Sequence, residues 1–188
     1  KEIGVEFEFA HFKKCPSFLE FATQLRELAH KPSTTGVIIQ LPLPSHLQSD
    51  TLYNYIPSVK DLEGHRTKSP HLPPLGLAVI SLLKFVANPH NHKKSIYPDR
   101  DADKNLFKQL LKHKKIVLAG SGITGGHPIA RTLHDYRIGF INVNSRTNEP
   151  DQYYKEADII ITSVGKKVLE PAMLKKGVVL INTGLHKV

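Results

Sequence analysis

The chain has 188 residues and is 40% hydrophobic, which suits one large or two small domains with a real core and excludes a disordered polymer. Its net charge of +9, with eleven histidines, favours anionic company such as phosphorylated or polyglutamylated ligands, nucleic acid or anionic lipid. The single cysteine, Cys15, excludes an internal disulfide framework and fits a reducing compartment, and no apolar run reaches the roughly 20 residues of a membrane-crossing helix.

From the N-terminus, Gly4 to Phe9 alternates apolar and polar and predicts a strand. Phe18, Leu19, Phe21, Ala22, Leu25, Leu28 and Ala29 fall at helical intervals behind Pro16 and Ser17, predicting an amphipathic helix to His30. Gly36-Val-Ile-Ile-Gln-Leu-Pro-Leu-Pro44 predicts a buried strand whose prolines stop the ladder at the sheet's carboxyl end, where open α/β sheets bind ligands. Gln40 there is either a surface amide or a hydrogen-bonding group in a cleft. Leu47 to Ile56 predicts a helix. In Val59-Lys-Asp-Leu-Glu-Gly64, Asp61 and Glu63 are either a solvated turn or carboxylates offered to a ligand's nitrogens.

Leu72-Pro-Pro-Leu-Gly76 leads into an apolar helix, Leu77 to Val86, that joins two halves. Asn88 to Asp103 is a loop or linker. His90, His92 and Asp99 to Asp103 lack a metal-ligand spacing, so no metal is expected. From Lys84 to Lys115 the chain carries nine Lys and Arg against three Asp, six of its nine net charges. This is either a solvated connector or an RNA-contacting surface. Asn105 to His113 predicts a short basic helix.

A predicted strand, Ile116 to Ala119, then runs into Gly120-x-Gly122-x-x-Gly125, followed by Gly126 and a helical run from Ile129 to Leu133. Glycine permits a tight turn and lets backbone N–H groups approach a diphosphate at a helix start; alone, the pattern also fits a bare tight connection. Further strands at Ile138–Val143, Ala157–Ser163 and Val178–Ile181 predict a doubly wound parallel sheet. The expected fold is α/β with two domains, residues 1–86 and a Rossmann-like 104–188, joined by a basic linker at 87–103. No repeat, Ser-His-Asp or Cys-His constellation emerges, and Cys15 reads as an ordinary thiol. A start at Lys1 without methionine, and a stop soon after an apolar strand, suggest sequence beyond both ends.

Gly36 to Pro44, Lys60-Asp-Leu-Glu-Gly64, Pro74-Leu-Gly76, Gly120 to Pro128, Asn144-Ser-Arg-Thr147, Ala157-Asp-Ile-Ile160 with Gly165, and Lys176 to Gly184 occur in an order that resembles the methylenetetrahydrofolate dehydrogenase/cyclohydrolase (FolD-type) family over nearly the whole chain. The resemblance implies an oxidoreductase of one-carbon metabolism. It passes a hydride from 5,10-methylenetetrahydrofolate to NAD or NADP and then hydrolyses the methenyl product. The first half would supply the folate cleft and the second the nucleotide site, in a homodimer of the cytoplasm or mitochondrial matrix. By this likeness Gln40 and Glu63 are the catalytic residues, and Gln40, Pro42, Glu63, Pro74 and Gly76 bind substrate. Gly120, Ser121, Gly122, Gly125, Gly126, Asn144, Ser145, Arg146, Thr147 and Gly165 bind the coenzyme.

The chain also departs from the family pattern. The Tyr-x-x-x-Lys helix of the cyclohydrolase step would precede Lys1, and the Pro-Gly-Gly-Val-Gly-Pro region is missing. Glu63 replaces Asp, His71-Leu-Pro-Pro74 replaces Pro-Cys-Thr-Pro, Ser121 and Gly122 replace Arg-Ser, and Asn182 replaces Asp. Ser121 removes a partner for a 2′-phosphate while Arg146 offers one, so NAD and NADP stay undivided. The alternative expectation is a catalytically degenerate FolD-like subunit that binds RNA in a ribonucleoprotein such as a mitochondrial ribosome, through Lys93, Lys94, Lys112, Lys114 and Lys115.

Overall fold

The computed structural model describes residues 4–66, 68–87 and 97–184. The chain forms two compact units, Lys1–His71 and Leu72–Val188.

In the first unit, helix α1 (Phe18–His30) starts at Ser17. The Ser17 hydroxyl accepts from Glu20 N, and the Glu20 carboxylate accepts from Ser17 N at 2.7 Å, satisfying two end donors reciprocally. The Ser17 N–H and hydroxyl, both donating to the carboxylate, hold the Glu20 carboxyl below its usual range. One face of α1 buries Ala22, Leu25 and Ala29 against Ile39, Leu52 and Ile56, with Phe21, Val37 and Tyr55 around them. The Lys60 ammonium closes the other end by donating to Ala29 O and Lys31 O, at 2.9 and 3.0 Å.

Three sequence expectations fail in this unit. Gly4 to Phe9 is not a strand: among the described residues no neighbouring strand forms a backbone ladder with it, and Phe7 is 80% exposed. Alternation alone makes no strand without a neighbour to take its hydrogen bonds. Gly36 to Pro44 carries, among the described residues, a single parallel bridge, Val37 to Asp61, and Pro42 and Pro44 have no N–H with which to extend pairing at its far end. Leu47 to Ile56 is not one helix but short 3-10 turns, Ser45–Leu47 and Asp50–Tyr55. Ser49 interrupts them by accepting from Thr51 N through its hydroxyl.

The second unit contains helices α2 (Pro74–Ala87) and α3 (Arg100–Leu110), strand β1 (Ile116–Ala119), α4 (Gly126–Asp135), β2 (Ile141–Val143), α5 (Pro150–Glu156), β3 (Ile159–Thr162) and β4 (Val179–Asn182). The strands form one parallel sheet in the order β2-β1-β3-β4, with Val117 opposite Ile141 and Ile160, and Ile160 opposite Leu180. Strands β1 and β3 are buried throughout, as expected for a parallel sheet covered on both faces. Side-chain alternation sends Ile116, Leu118, Ile159 and Ile161 into a core with Val79, Ile80 and Leu83 of α2, Phe107 of α3, and Ile129 and Leu133 of α4. Val117, Ala119 and Ile160 face Tyr154 and Ala157 on the other side. Helix α2 thus belongs to the core of this unit, and the division between the units falls at His71, before the helix rather than after it.

Helix α3 starts five residues earlier than its apolar spacing suggests, because the Asp99 carboxylate accepts from Ala102 N at 3.0 Å and caps it. Asp158 ties the start of β3 to its surroundings. Its carboxylate accepts from Lys175 Nζ at 2.9 Å and from Lys115 N at 2.7 Å, which holds it below its usual range. A depressed carboxyl contributes stability above its unfolded value that is lost as pH falls through the folded one. Asp158→Asn is therefore expected to lower stability at pH 7 on the order of 1 kcal/mol, with a gap that narrows as pH falls below the ordinary aspartate value of about 3.9, read as urea midpoints at neutral and acid pH.

Candidate functional site

The most built-up feature is the turn between β1 and α4. Gly120 has φ +116°, a conformation that L side chains rarely adopt, and a Cβ there would lie 2.5 Å from Ser163 Oγ. Its N–H donates to Val143 O at 2.8 Å and its carbonyl accepts from Asn142 Nδ2 at 3.2 Å. A Cβ on Gly126 would overlap the Gly120 carbonyl and come 2.7 Å from Ser121 N, so the loop folds back onto the first residue of α4. Gly122 O accepts from Gly125 N and His127 N, at 3.2 and 3.0 Å. Gly125, the residue before α4, makes no side-chain cap, and Ser121 and Gly122 are exposed, with open space where a Gly122 Cβ would stand. Among the described residues the N–H groups of Ser121, Gly122 and Ile123 donate to no acceptor. The result is a glycine cradle at an open helix N-terminus, at the carboxyl end of β1, where the strand order reverses between β1 and β3. Such a site takes an anion.

At the end of β2, Asn144 to Thr147 is a closed turn. Asn144 O accepts from Thr147 N, Asn144 N donates to Thr147 Oγ1, and Asn144 Oδ1 accepts from Arg146 N at 2.9 Å. Ser145 and Arg146 are exposed on it, and Gly165 is exposed past β3. The sheet therefore brings Gly120, Asn144 and Gly165 to the carboxyl ends of neighbouring strands.

In the first unit, Gln40 is exposed and its Nε2 donates to Leu41 O at 2.9 Å; the following Leu41–Pro42 peptide is cis and Pro42 is exposed. Asp61 is buried and builds the turn that follows, its carboxylate accepting from His65 N and Arg66 N at 3.1 and 2.8 Å. Glu63, half-buried, is carried on that turn beside His65. Pro74 and Gly76 sit in the first turn of α2 in the second unit, where Gly76 packs against Thr132 and Pro128 of α4.

Lys93 and Lys94, with His90 and His92, lie outside the described residues. Lys112 is exposed, whereas the Lys115 ammonium pairs with Glu156 at 2.6 Å and that of Lys114 lies 4.0 Å from Asp158. Two side chains that support the cradle, Asn142 and Ser163, were not singled out from sequence; Ser163 Oγ donates to Ala119 O at 3.3 Å, directly beneath the glycines. The sequence signals are slight: Asn142 is a polar residue inside the apolar strand β2, and Ser163 follows the apolar run of β3. Asn182, where the family pattern has Asp, accepts from Thr162 Oγ1 at 2.7 Å and joins the ends of β3 and β4.

Comparison with known proteins matches residues 105–188 to the tetrahydrofolate dehydrogenase/cyclohydrolase NAD(P)-binding domain and residues 1–63 to the catalytic domain of the same family. The bifunctional protein FolD of Mycoplasma genitalium is 27% identical over 98% of this chain and 61% of its own length; that of Staphylococcus aureus (strain N315) is 25% identical over 98% and 60%. The crystal structure of the bifunctional enzyme FolD from Campylobacter jejuni superposes with a TM-score of 0.68 at 26% identity, covering 88% of this chain and 55% of that one. A 5,10-methylenetetrahydrofolate dehydrogenase from the silkworm, Bombyx mori, shares the fold, with a TM-score of 0.71 at 22% identity over 92% of this chain and 60% of that one. The chain spans about three fifths of the length of the curated relatives it matches. Both domain matches, in order and covering more than three quarters of the residues, place the chain in the tetrahydrofolate dehydrogenase/cyclohydrolase family.

Proposed function

We propose that the protein oxidises 5,10-methylenetetrahydrofolate with NAD or NADP. The observation that carries this reading is the glycine cradle: free N–H groups of Ser121, Gly122 and Ile123, an α4 start without a side-chain cap, and a Gly122 with open space around it fit a dinucleotide diphosphate. The bound nicotinamide supplies the hydride acceptor. Everything the chain adds is binding and orientation. The cradle fixes the diphosphate, and the turn at Asn144–Thr147 presents Arg146 to the adenosine ribose. Gln40 offers its amide oxygen to the folate, its nitrogen being held by Leu41 O, and Glu63 accepts from the pterin nitrogens.

The purified protein is expected to reduce NAD or NADP, followed at 340 nm, only when methylenetetrahydrofolate is added. Gln40→Ala should lower kcat/KM by about 10²-fold, the scale of a lost orienting contact. No turnover with either coenzyme ends this reading.

A further inference from the structure

Glu63 is more than an exposed turn carboxylate, because its neighbours restrain it. Gly64 has φ +65°, which turns the chain sharply enough to bring residues 63 and 65 to the same side. Buried Asp61 locks the turn from below through the N–H groups of His65 and Arg66, and the Arg66 guanidinium donates to Ile56 O at 2.6 Å. The Val37–Asp61 bridge ties the same turn to the segment that leads to Gln40. On this support the His65 ring lies flat on Tyr53, with centroids 4.1 Å apart and planes 18° from parallel. Its Nε2 is 3.5 Å from Glu63 Oε2, and the His65 side chain is 16% exposed.

We propose that His65 is a positioning residue: held flat by Tyr53, it fixes the direction of the Glu63 carboxylate and so sets the affinity for the folate ring. A glutamate has three side-chain torsions, and ordering them on binding works against affinity; a ring already locked by stacking removes much of that freedom beforehand. Stacking leaves the imidazole edge, where both nitrogens lie, free to face the carboxylate. The proposal rests on the folate reading for its ligand, but not for the contact itself.

Two measurements on the whole chain separate these. The first needs no ligand: Glu63→Gln should move the His65 ring-nitrogen resonances in long-range 1H–15N spectra, while Glu20→Gln should not. Unmoved resonances overturn the proposal. The second is a double-mutant cycle read as the Kd for tetrahydrofolate. His65→Phe keeps the stack and loses the ring nitrogens, and should weaken binding about 5- to 10-fold in the wild-type background but less than 2-fold in the Glu63→Gln background. An equal loss in both backgrounds marks His65 as merely structural and overturns the proposal. His65→Gln, which restores an N–H donor without the stack, should recover part of the loss. If the resonances move but the wild-type chain does not bind tetrahydrofolate, the contact stands, and the folate reading falls together with the role assigned to the pair in folate affinity.

Discussion

Gly126→Ala should destabilise the protein by about 3 kcal/mol, whereas Gly122→Ala, four residues away in the same turn, should leave stability within about 0.5 kcal/mol and cost at least tenfold in dinucleotide affinity. The difference follows from what each new methyl meets. At Gly126 it overlaps the Gly120 carbonyl oxygen and lies 2.5 Å from the Gly120 carbonyl carbon and 2.7 Å from Ser121 N, all backbone. No rotamer change relieves that overlap. The loop must lift off α4, breaking the hydrogen bonds by which Gly120 is pinned to Val143 and Asn142. At Gly122 the methyl meets nothing, so the folded chain tolerates it. It occupies instead the surface on which a diphosphate would rest against backbone N–H groups. Urea midpoints give the first effect, and titration with NAD and NADP gives the second. A Gly122→Ala protein that binds dinucleotide like the wild type would show that the diphosphate lies elsewhere, and the function proposed from the cradle would lose its main support.

The sequence discloses the second unit far better than the first, for a physical reason. Ile116–Ala119 and Ile159–Thr162 are buried on both faces, so their apolar runs are continuous and their bounds stand out. Helix α5 has no such signal: after Pro150 it is polar or aromatic throughout, buries Tyr154 and starts from a left-handed Glu149. In the first unit the alternation of Gly4 to Phe9 and the apolar run of Gly36 to Pro44 are plain in the sequence, but their lack of a ladder is not, since pairing depends on a neighbour that local sequence does not name. The cradle glycines are legible because sterics demand them. Its props are not: Asn142 and Ser163 act through contacts 22 and 44 residues away in the chain. Asp61 and Glu63 show the same limit. The spelling gives two carboxylates in a turn, but only the fold reveals that Asp61 is buried as the turn's anchor while Glu63 remains half-exposed beside His65.

Gly76 is where the family likeness and the packing assign different work to one residue, and a substitution can tell them apart. As a wall of a folate cleft, its replacement should change ligand affinity; in the structure it is buried where α2 meets α4, and a Cβ would overlap Thr132 Oγ1 and lie 2.5 Å from Thr132 Cβ and 3.0 Å from Pro128 O. Two effects oppose each other in Gly76→Ala. Alanine favours the helix by about 0.8–1 kcal/mol, while overpacking a tight contact costs about 1–3 kcal/mol. Thr132 decides the balance. It is fully buried, stiff at χ1, and held by its hydroxyl, which donates to Pro128 O at 3.0 Å, so it has nowhere to retreat. Net destabilisation of about 2 kcal/mol is expected, with Gly76→Ala/Thr132→Ala recovering about half of it by opening space across the contact. The partial rescue is the diagnostic, because a cleft-wall role gives Thr132 no reason to compensate. If Gly76→Ala leaves the urea midpoint unchanged yet weakens tetrahydrofolate binding, the glycine belongs to the cleft and the helix contact is incidental; loss of stability restored through Thr132 makes close approach of α2 to α4 the reason that no side chain stands there.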